Sequence, residues 1–406
     1  MYFRNEFIHV KQELDDAYYG GNVFRDCILT YRGGDAQFRK SNKVVDCDSE
    51  GTASRRPHFV YLQTLQDFDR QNGCSSFPES IMISRRSFLV SAAAAAGVAV
   101  AQPVLGKVAG RDPLTRKQRV DRALAGQDVD RPPFTHWHHF GPQTPEEHAK
   151  ATLDYHWQYK TDIVKVMSDY PYPKPEGNWY ELKVLDSPFP EQIRALELIR
   201  DGLHGDAYIL ETAFNPWQVA VKLSSKEEVV RLQQENPQRL LDALDVLTQS
   251  HINHAKRAFA AGASGVLFSI ANANRAELSP AAYAKFSAPF DKRFFAATAS
   301  AKLNFLHLHW ENEYVDQFVD FQAPVVNWSV QSSGVSVSTV RSKFSQTIAT
   351  GIDEKNYKDL SSEQIRNQWQ TARNVAGSKF ILTPGCSVPN DSTDEQLSRL
   401  PQVVGA

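Results

Sequence analysis

From residue 117 to the end of the chain, short apolar runs alternate with longer segments whose apolar residues recur about every 3.6 positions. Runs of the first kind are typical of buried strands, and segments of the second kind of amphipathic helices. The pattern predicts eight strands, at residues 133–139, 162–167, 207–214, 265–270, 303–309, 325–328, 346–349 and 379–382. It predicts helices at residues 145–157, 190–203, 216–223, 227–233, 236–261, 281–299, 363–375 and 395–404.

The alternation of strands and helices predicts a parallel sheet, because parallel neighbours need long crossover connections. Eight such units fit a closed (β/α)8 TIM barrel better than an open doubly wound sheet. No glycine-rich phosphate loop follows the first strand, which disfavours a dinucleotide-binding fold. We therefore predict a single α/β barrel over residues 112–406, with its chemistry at the C-terminal ends of the strands.

A different pattern precedes the barrel, at residues 82–101. The pair Arg85-Arg86 is followed by an uncharged segment, residues 88–101, which ends in Ala99-x-Ala101. Adjacent arginines, a short apolar stretch and a small-residue cleavage site are the features of a twin-arginine signal peptide. A bilayer-spanning helix needs roughly twenty apolar residues, so we expect no membrane anchor in the mature form. The alternative is a buried alanine-rich helix behind a chance arginine pair.

Residues 1–81 show no sustained helical or strand period. Because a signal peptide is normally N-terminal, we interpret this extension as unstructured or as an upstream reading-frame extension, with Met82 as the true start. A small leader domain is the alternative. The mature protein would then begin near Gln102 and be exported, to the periplasm or beyond, by the twin-arginine translocation machinery.

Composition narrows the function. Of the four cysteines, only Cys386 lies outside the extension, so an exported mature chain could form no internal disulfide. Its thiol is either buried and inert or committed to chemistry. The net charge of −2 and the lack of a Lys/Arg run in the barrel argue against nucleic acid as a partner and favour a small-molecule substrate.

The strongest candidate site combines His307, His309 and Cys386. Side chains at positions i and i+2 of a strand leave on the same face, so both imidazoles can converge on one point at the end of the fifth strand. Cys386 follows the eighth strand. Two nitrogens and one sulfur suit zinc and leave a fourth position open for water or substrate. The alternative is two hydrogen-bonded histidines and a buried thiol.

Further polar residues lie near the ends of the early strands. Asp169 follows the second strand and is a candidate acid or charge stabiliser, although aspartate is also a common turn residue. Its neighbour Tyr170 is a candidate for substrate binding. Glu211 lies inside an apolar strand, where an unpaired carboxylate is costly, so it needs a cation, a metal or a proton. The histidines of the first strand are candidate proton carriers or pocket walls: His139 as a catalytic residue, and His136 and His138 as substrate-binding residues.

Three motifs resemble the uroporphyrinogen decarboxylase superfamily, whose fold is a (β/α)8 barrel. Residues 117–126 (KQRVDRALAG), with 130–133 (DRPP), resemble the family's opening. Residues 351–353 (GID) lie where the family has a Gly-Asn-Leu-Asp-like turn, and residues 385–392 (GCSVPNDS) resemble its Gly-Cys-x-Val-Pro-x-Asp-Thr signature. The order and spacing of these motifs cover essentially the whole barrel.

The resemblance implies one of two activities. In the decarboxylases, an aspartate that Asp169 matches stabilises the protonated pyrrole, and arginines after the first strand hold the substrate carboxylates. Here residues 136–141 read HWHHFG instead of that arginine loop, and Pro384 stands where the family has a late histidine. Loss of the guanidinium contacts would cost about 1.5–3 kcal/mol each.

The other branch comprises zinc methyltransferases that move a methyl group between a corrinoid carrier and a thiol. His307 and Cys386 match its first and last zinc ligands, His309 replaces its middle cysteine, and Glu211 lies near its carboxylate. That replacement makes the site less electron-rich and shifts it toward water activation. The resemblance thus favours an exported zinc enzyme of methyl or related group transfer, with a corrinoid supplied by a partner protein.

The two alternatives are decarboxylation of a porphyrin precursor and a catalytically inactive ligand-binding barrel. Barrels of this superfamily often pair, so a homodimer is an expectation from the resemblance, and the sequence leaves the oligomeric state open.

Overall fold

The computed structural model describes residues 113–141, 144–309 and 314–405, together with short strands between Tyr2 and Gly51. Two compact units divide the chain, Met1–Val108 and Ala109–Ala406. The predicted signal peptide, residues 82–101, lies outside the described residues and stays a prediction.

In the first unit, nine strands of two to four residues form three three-stranded parallel sheets. The strands are β1 (Tyr2–Phe3), β2 (Glu6–Ile8), β3 (Lys11–Leu14), β4 (Tyr18–Gly20), β5 (Val23–Arg25), β6 (Ile28–Tyr31), β7 (Gln37–Phe38), β8 (Lys43–Val45) and β9 (Asp48–Gly51). Each pairs with the third strand along the chain, in the orders β1-β4-β7, β2-β5-β8 and β3-β6-β9. Consecutive strands are joined by connections too short for a parallel crossover. Strands of this length are too short to show a period in the sequence, and whether residues 1–81 belong to the native protein stays a prediction.

The second unit contains seven parallel strands that pair strictly in chain order. They are β10 (Ile163–Lys165), β11 (Tyr208–Phe214), β12 (Gly265–Ile270), β13 (Phe305–Leu308), β14 (Val325–Trp328), β15 (Thr347–Ile352) and β16 (Phe380–Pro384). Each coincides with a predicted strand. Helices precede and connect them, at Arg116–Ala125, Pro145–Tyr159, Pro190–Leu203, Pro216–Leu223, Lys226–Glu235, Pro237–Ala261, Pro280–Phe286, Ala288–Ala297, Val330–Ser333, Val337–Lys343, Ser362–Ala376 and Asp394–Val404, with 3-10 turns at Val315–Phe318 and Tyr357–Asp359.

The first predicted strand, residues 133–139, is reduced to a bridge that joins the two edges of this sheet, and we call these residues the closing segment. Phe134 bridges Leu382 in parallel, and the N–H of Thr135 donates to the Leu382 carbonyl oxygen at 3.1 Å. On the other side, the N–H of Asp162, beside β10, donates to the Phe134 carbonyl oxygen at 2.8 Å. The curled sheet is therefore bonded across at both edges, which is consistent with a TIM-type barrel.

The sequence predicts one helix over residues 281–299, and the structure divides it into two helices around Ser287. Pro289 lies at the start of the second helix. Proline has no N–H to donate and its ring clashes with the preceding turn, so a continuous helix cannot pass through this point. No helix in the described part of the chain is long and apolar enough to cross a membrane.

Two layers of side chains fill the barrel interior. The lower layer is apolar and takes one residue from each strand, namely Ile163, Leu210, Leu267, Phe305, Val325, Ala349 and Ile381. Because side chains alternate between the two faces of a strand, the residue two positions further on also faces inward. Those next positions form what we call the upper layer, most of which is polar: Lys165, Thr212, Ser269, His307, Asn327, Gly351 and Thr383.

A buried ion network fastens the N-terminal end of the barrel. Asp162 is fully buried; its Oδ1 accepts from Arg119 Nη1 at 2.6 Å, and its Oδ2 accepts from Arg131 Nη1 at 2.5 Å and from the Phe134 N–H at 3.0 Å. Arg119 also donates to Asp130 at 2.7 Å. One carboxylate thus ties the first helix, the closing segment and β10 together.

We predict that Asp162→Ala lowers the free energy of unfolding by about 3–5 kcal/mol, because it leaves two guanidinium groups without their buried counter-charge. Urea unfolding of the full chain measures the change. The control is Asp154→Ala, which removes an exposed partner of Lys150 and should change stability little. Equal effects of the two substitutions would contradict this account of barrel closure.

Candidate metal centre

Three potential metal ligands meet at the C-terminal end of the barrel. Atoms of His307, His309 and Cys386 that could bind a metal all lie within 4.8 Å of one another. His307 belongs to β13 and faces inward from the upper layer, and His309 follows that strand, with its backbone N–H donating to the Ile270 carbonyl oxygen at 3.0 Å. Cys386 lies two residues beyond β16. The structure therefore brings together the three residues that the sequence singled out for a metal.

The loop that carries Cys386 is fixed by a close backbone approach at Gly385. A Cβ at this position would lie 2.3 Å from Ser329 Cα and 2.8 Å from Glu354 Oε2. A side chain at this position would force the loop away from Ser329. The same loop is bonded to the closing segment, since the Val388 N–H donates to the Trp137 carbonyl oxygen at 2.9 Å.

Asn327 in β14 sets the orientation of the His307 ring. Its Nδ2 donates to the carbonyl oxygens of Ala349 at 2.8 Å and Pro384 at 3.2 Å, and to Thr383 Oγ1 at 3.0 Å. The amide cannot be flipped without placing an oxygen against two carbonyl oxygens, so Oδ1 faces His307 Nδ1. His307 Nδ1 must then carry the proton, which leaves the lone pair on Nε2. This is the tautomer that a metal-binding histidine needs, and the partner of its other nitrogen is of the usual kind.

The electrostatics of the site favour metal-binding forms of two ligands. Burial raises the pKa of the Cys386 thiol, but the hydrogen bond and charge of His307 outweigh it and bring the pKa below its usual value. Burial lowers the pKa of His309 to about 4, so its ring is neutral at pH 7. Zinc binding needs an ionised thiol and neutral imidazoles, and one cysteine with two histidines is a donor set that fits zinc.

His139 and Asp169, both predicted to be catalytic, form a pair. His139 Nδ1 lies 2.6 Å from Asp169 Oδ1, whereas Asp169 Oδ2 is buried without a hydrogen-bond partner among the described residues. Burial raises the pKa of Asp169, but the hydrogen bond from His139 and nearby positive charges bring it below the usual value. The His139 backbone N–H donates to Asn390 Oδ1 at 3.0 Å, which attaches the pair to the Cys386 loop.

The three residues predicted to bind substrate occupy different surroundings. His136 is buried among tyrosine rings, with Nδ1 hydrogen-bonded to Tyr155, and burial lowers its pKa to about 3. Its neighbour Trp137 belongs to the interior cluster, so alternation directs His136 toward the surrounding helices. His138 is half-buried, and its Nδ1 has no hydrogen-bond partner among the described residues. Tyr170 follows Asp169, and its buried hydroxyl likewise has no partner in that part of the chain.

Glu211 also faces the helices. It lies between Leu210 and Thr212, which point inward, and its Oε1 accepts from His254 Nε2 at 3.0 Å. Its Oε2 accepts from Gln192 Nε2 at 3.0 Å. The buried carboxylate of Glu211 is therefore hydrogen-bonded to side chains of two helices on the outer face of the sheet. The structure does not bring Glu211 into the metal cluster.

Sequence reasoning missed three residues of the site: Asn327, Lys165 and Glu354. Asn327 and Lys165 are polar residues inside otherwise apolar strands, the same signal that identified Glu211. Glu354 is buried, accepts from Ser332 Oγ at 3.0 Å, and has an Oε2 without a partner in the described part of the chain.

Comparisons with known proteins identify the family to which this chain belongs. The model of the uroporphyrinogen decarboxylase (URO-D) family matches residues 171–406, and the chain belongs to this family. No curated protein matches the chain. A methyltransferase from Methanosarcina mazei is similar in structure, with a TM-score of 0.63 and 18% identity over 72% of this chain and 98% of that one. A B12-independent methionine synthase from Shewanella sp. W3-18-1 has a TM-score of 0.49 and 11% identity over 64% of this chain and 87% of that one.

We predict that Asn327→Leu weakens zinc binding by about 10–100-fold, because His307 loses the group that fixes its tautomer and ring orientation. Competition with a chromophoric chelator on the full chain measures the affinity.

Asn304→Leu is the matched control for this variant. Asn304 is also a fully buried barrel asparagine, but it bonds Thr298 and the Val266 N–H instead of the cluster. It should lower thermal stability and leave zinc affinity unchanged. A similar loss of zinc in both variants would mean that Asn327 acts only through the fold.

Proposed function

We propose that this protein is a zinc-dependent transferase that moves a methyl or related group to a thiol at the mouth of the barrel. The observation that carries the proposal is the convergence of His307, His309 and Cys386, with Asn327 holding the first of them in the metal-binding tautomer. A methyltransferase of similar fold supports it. The cluster lies at the C-terminal end of the barrel strands, where the active sites of TIM barrels lie.

The donor set supports zinc with an open fourth position. When bound, zinc supplies a Lewis acid that keeps an acceptor thiol ionised at neutral pH. The residues of the chain hold the ligands in place: Asn327 orients His307, Gly385 allows the Cys386 loop to approach, and burial keeps His309 neutral. With one thiolate and two neutral imidazoles, the protein contributes a single negative charge.

The transfer step balances with a methylated corrinoid as donor. The acceptor sulfur attacks the methyl carbon and forms the S–C bond. The Co–C bond of the methylated corrinoid would break with its electron pair left on cobalt, and the thiol proton would pass to solvent. We propose that a partner protein delivers the corrinoid.

Export through the twin-arginine pathway remains part of the proposal and rests on residues 82–101. A mature N terminus near Gln102, read by mass spectrometry of the native protein, is its expected signature.

Asp169 supports a second candidate, decarboxylation, because its buried Oδ2 has no hydrogen-bond partner among the described residues and offers an acceptor for a substrate cation. Against this candidate, the segment that follows the first strand position offers His136, His138 and His139 in place of arginines. Neutral imidazoles bind a polycarboxylate much more weakly than guanidinium groups do.

One experiment separates the two candidates. Zinc-loaded protein is incubated with methylcobalamin and a small thiol, and separately with uroporphyrinogen; thioether is measured by mass spectrometry, and released carbon dioxide is measured directly. We expect thioether formation that His307→Ala and Cys386→Ala abolish, and no carbon dioxide.

Asp169→Asn is the discriminating variant. It leaves all three metal ligands in place, so zinc content should be unchanged. Carbon dioxide release that Asp169→Asn abolishes, while His307→Ala and Cys386→Ala retain it, would overturn the proposal in favour of decarboxylation.

A further inference from the structure

His136 is a buried imidazole in the closing segment. Only 1% of the residue is exposed. Its Nδ1 is hydrogen-bonded to the Tyr155 hydroxyl, and its Nε2 has no hydrogen-bond partner among the described residues. Because an unpaired charge is costly to bury, this position favours the neutral ring and opposes the protonated one.

The elements packed against His136 offer it no counter-charge. The helix Pro145–Tyr159 contributes the rings of Tyr155 and Tyr159, and the turn Tyr357–Asp359 contributes the ring of Tyr357. The Tyr159 hydroxyl donates to Asp394 Oδ1 at 2.8 Å, so this carboxylate already has a partner. Protonation of His136 would therefore place a charge among phenol rings.

Other charged groups near the ring oppose its protonation. Lys165 lines the same small cavity as His136, between the closing segment, β10 and the helix Pro145–Tyr159. Burial is the main cause that lowers the pKa of His136, to about 3, and the charge of His138 acts in the same direction, against a smaller effect of the Leu397 backbone. The ring is therefore neutral at pH 5–7 while the segment is closed. In an open, hydrated segment its pKa returns to about 6.5.

The closing segment is held by few backbone bonds, and it holds the Cys386 loop in turn. It joins β16 through a single bridge, whereas β15 and β16 pair along five residues. The Val388 N–H donates to the Trp137 carbonyl oxygen at 2.9 Å, and the His139 N–H donates to Asn390 Oδ1 at 3.0 Å. A segment with few bonds opens more readily than the sheet around it, and its opening breaks both bonds to the loop.

We propose that the closing segment is a pH-sensitive element: protonation of His136 in acid holds it open and releases the Cys386 loop. This inference does not depend on zinc or on the proposed reaction. The closed form is fully favoured above about pH 6.5, and this preference is lost as the pH falls toward about 3, because only the open form takes up the proton. One such group raises the ratio of open to closed protein about 25-fold between pH 7 and pH 5.

Hydrogen exchange of the full chain, followed by mass spectrometry and corrected for the intrinsic pH dependence of exchange, measures this opening. We expect protection of residues 133–141 and 385–392 to fall at least 25-fold from pH 7 to pH 5, since half-buried His138 also has a lowered pKa and adds to the effect. In His136→Gln, whose amide can bond Tyr155 but takes up no proton, the fall should be about 25-fold smaller in both segments.

His251→Gln is the matched control. His251 is also a buried imidazole, with a pKa that burial lowers to about 4, but it lies in the helix Pro237–Ala261 against Tyr172 and Phe189. This variant should keep the wild-type fall in protection of residues 133–141 and 385–392. If His136→Gln does not fold, His136→Phe, with a ring that cannot be protonated, carries the same expectation.

Three outcomes would overturn the inference. One is protection of both segments that does not change between pH 7 and pH 5 in the wild type. Another is the same fall in the wild type and in the His136 variant, which is also the result expected if acid acted through loss of a metal from Cys386. The third is a fall confined to residues 133–141, which would contradict release of the Cys386 loop.

Discussion

The structure depends on the alternation of side chains along parallel strands that are bonded into a ring. In such a ring every second residue must face an interior that solvent cannot fill. The lower layer meets this constraint with apolar side chains, and the upper layer meets it with polar groups that need partners. Asn327 satisfies several of them at once, since its amide bonds His307, Thr383 and two backbone carbonyl oxygens. The upper layer therefore covers the apolar core on one side and lines the bottom of the candidate site on the other.

The same constraint explains which residues can act together. His307 and Lys165 face the barrel interior because Phe305 and Ile163, two residues earlier in the same strands, belong to the apolar lower layer. Glu211 and His136 point to the outer face of the sheet and are buried against helices. There His254 is hydrogen-bonded to Glu211, and Tyr155 to His136. A polar residue in an apolar strand thus either faces the barrel interior or packs against the surrounding helices. Neighbouring positions of the strand alternate between these two orientations.

Much of this could be predicted from the sequence. Apolar runs and helical periods located all seven strands of the barrel sheet, and the spacing of His307 and His309 with a distant Cys386 located the ligand cluster. The form of residues 133–135 was harder to predict, because they join the sheet mainly through a single bridge. The helix break at Ser287 was also harder, because it depends on a single proline. Which side chains of β11 face the barrel interior depends on strand register, and the pairing of His139 with Asp169 depends on loop packing. A local sequence pattern predicts neither.

The family and the site together limit the chemistry. The chain belongs to the URO-D family, and the interior at the C-terminal end of its barrel holds His307, His309, Cys386 and Lys165. An interior that offers imidazoles and one lysine, without guanidinium groups, has few charge-assisted donors for a large polycarboxylate.

We propose that His307, His309 and Cys386 bind a single zinc ion. X-ray absorption at the zinc edge of the full chain, loaded with one equivalent of zinc, measures the atoms bound to the metal. We expect one sulfur at about 2.3 Å and imidazole nitrogens at about 2.0–2.1 Å, with the sulfur contribution absent in Cys386→Ala. A zinc shell without sulfur, or a spectrum that Cys386→Ala leaves unchanged, would contradict it.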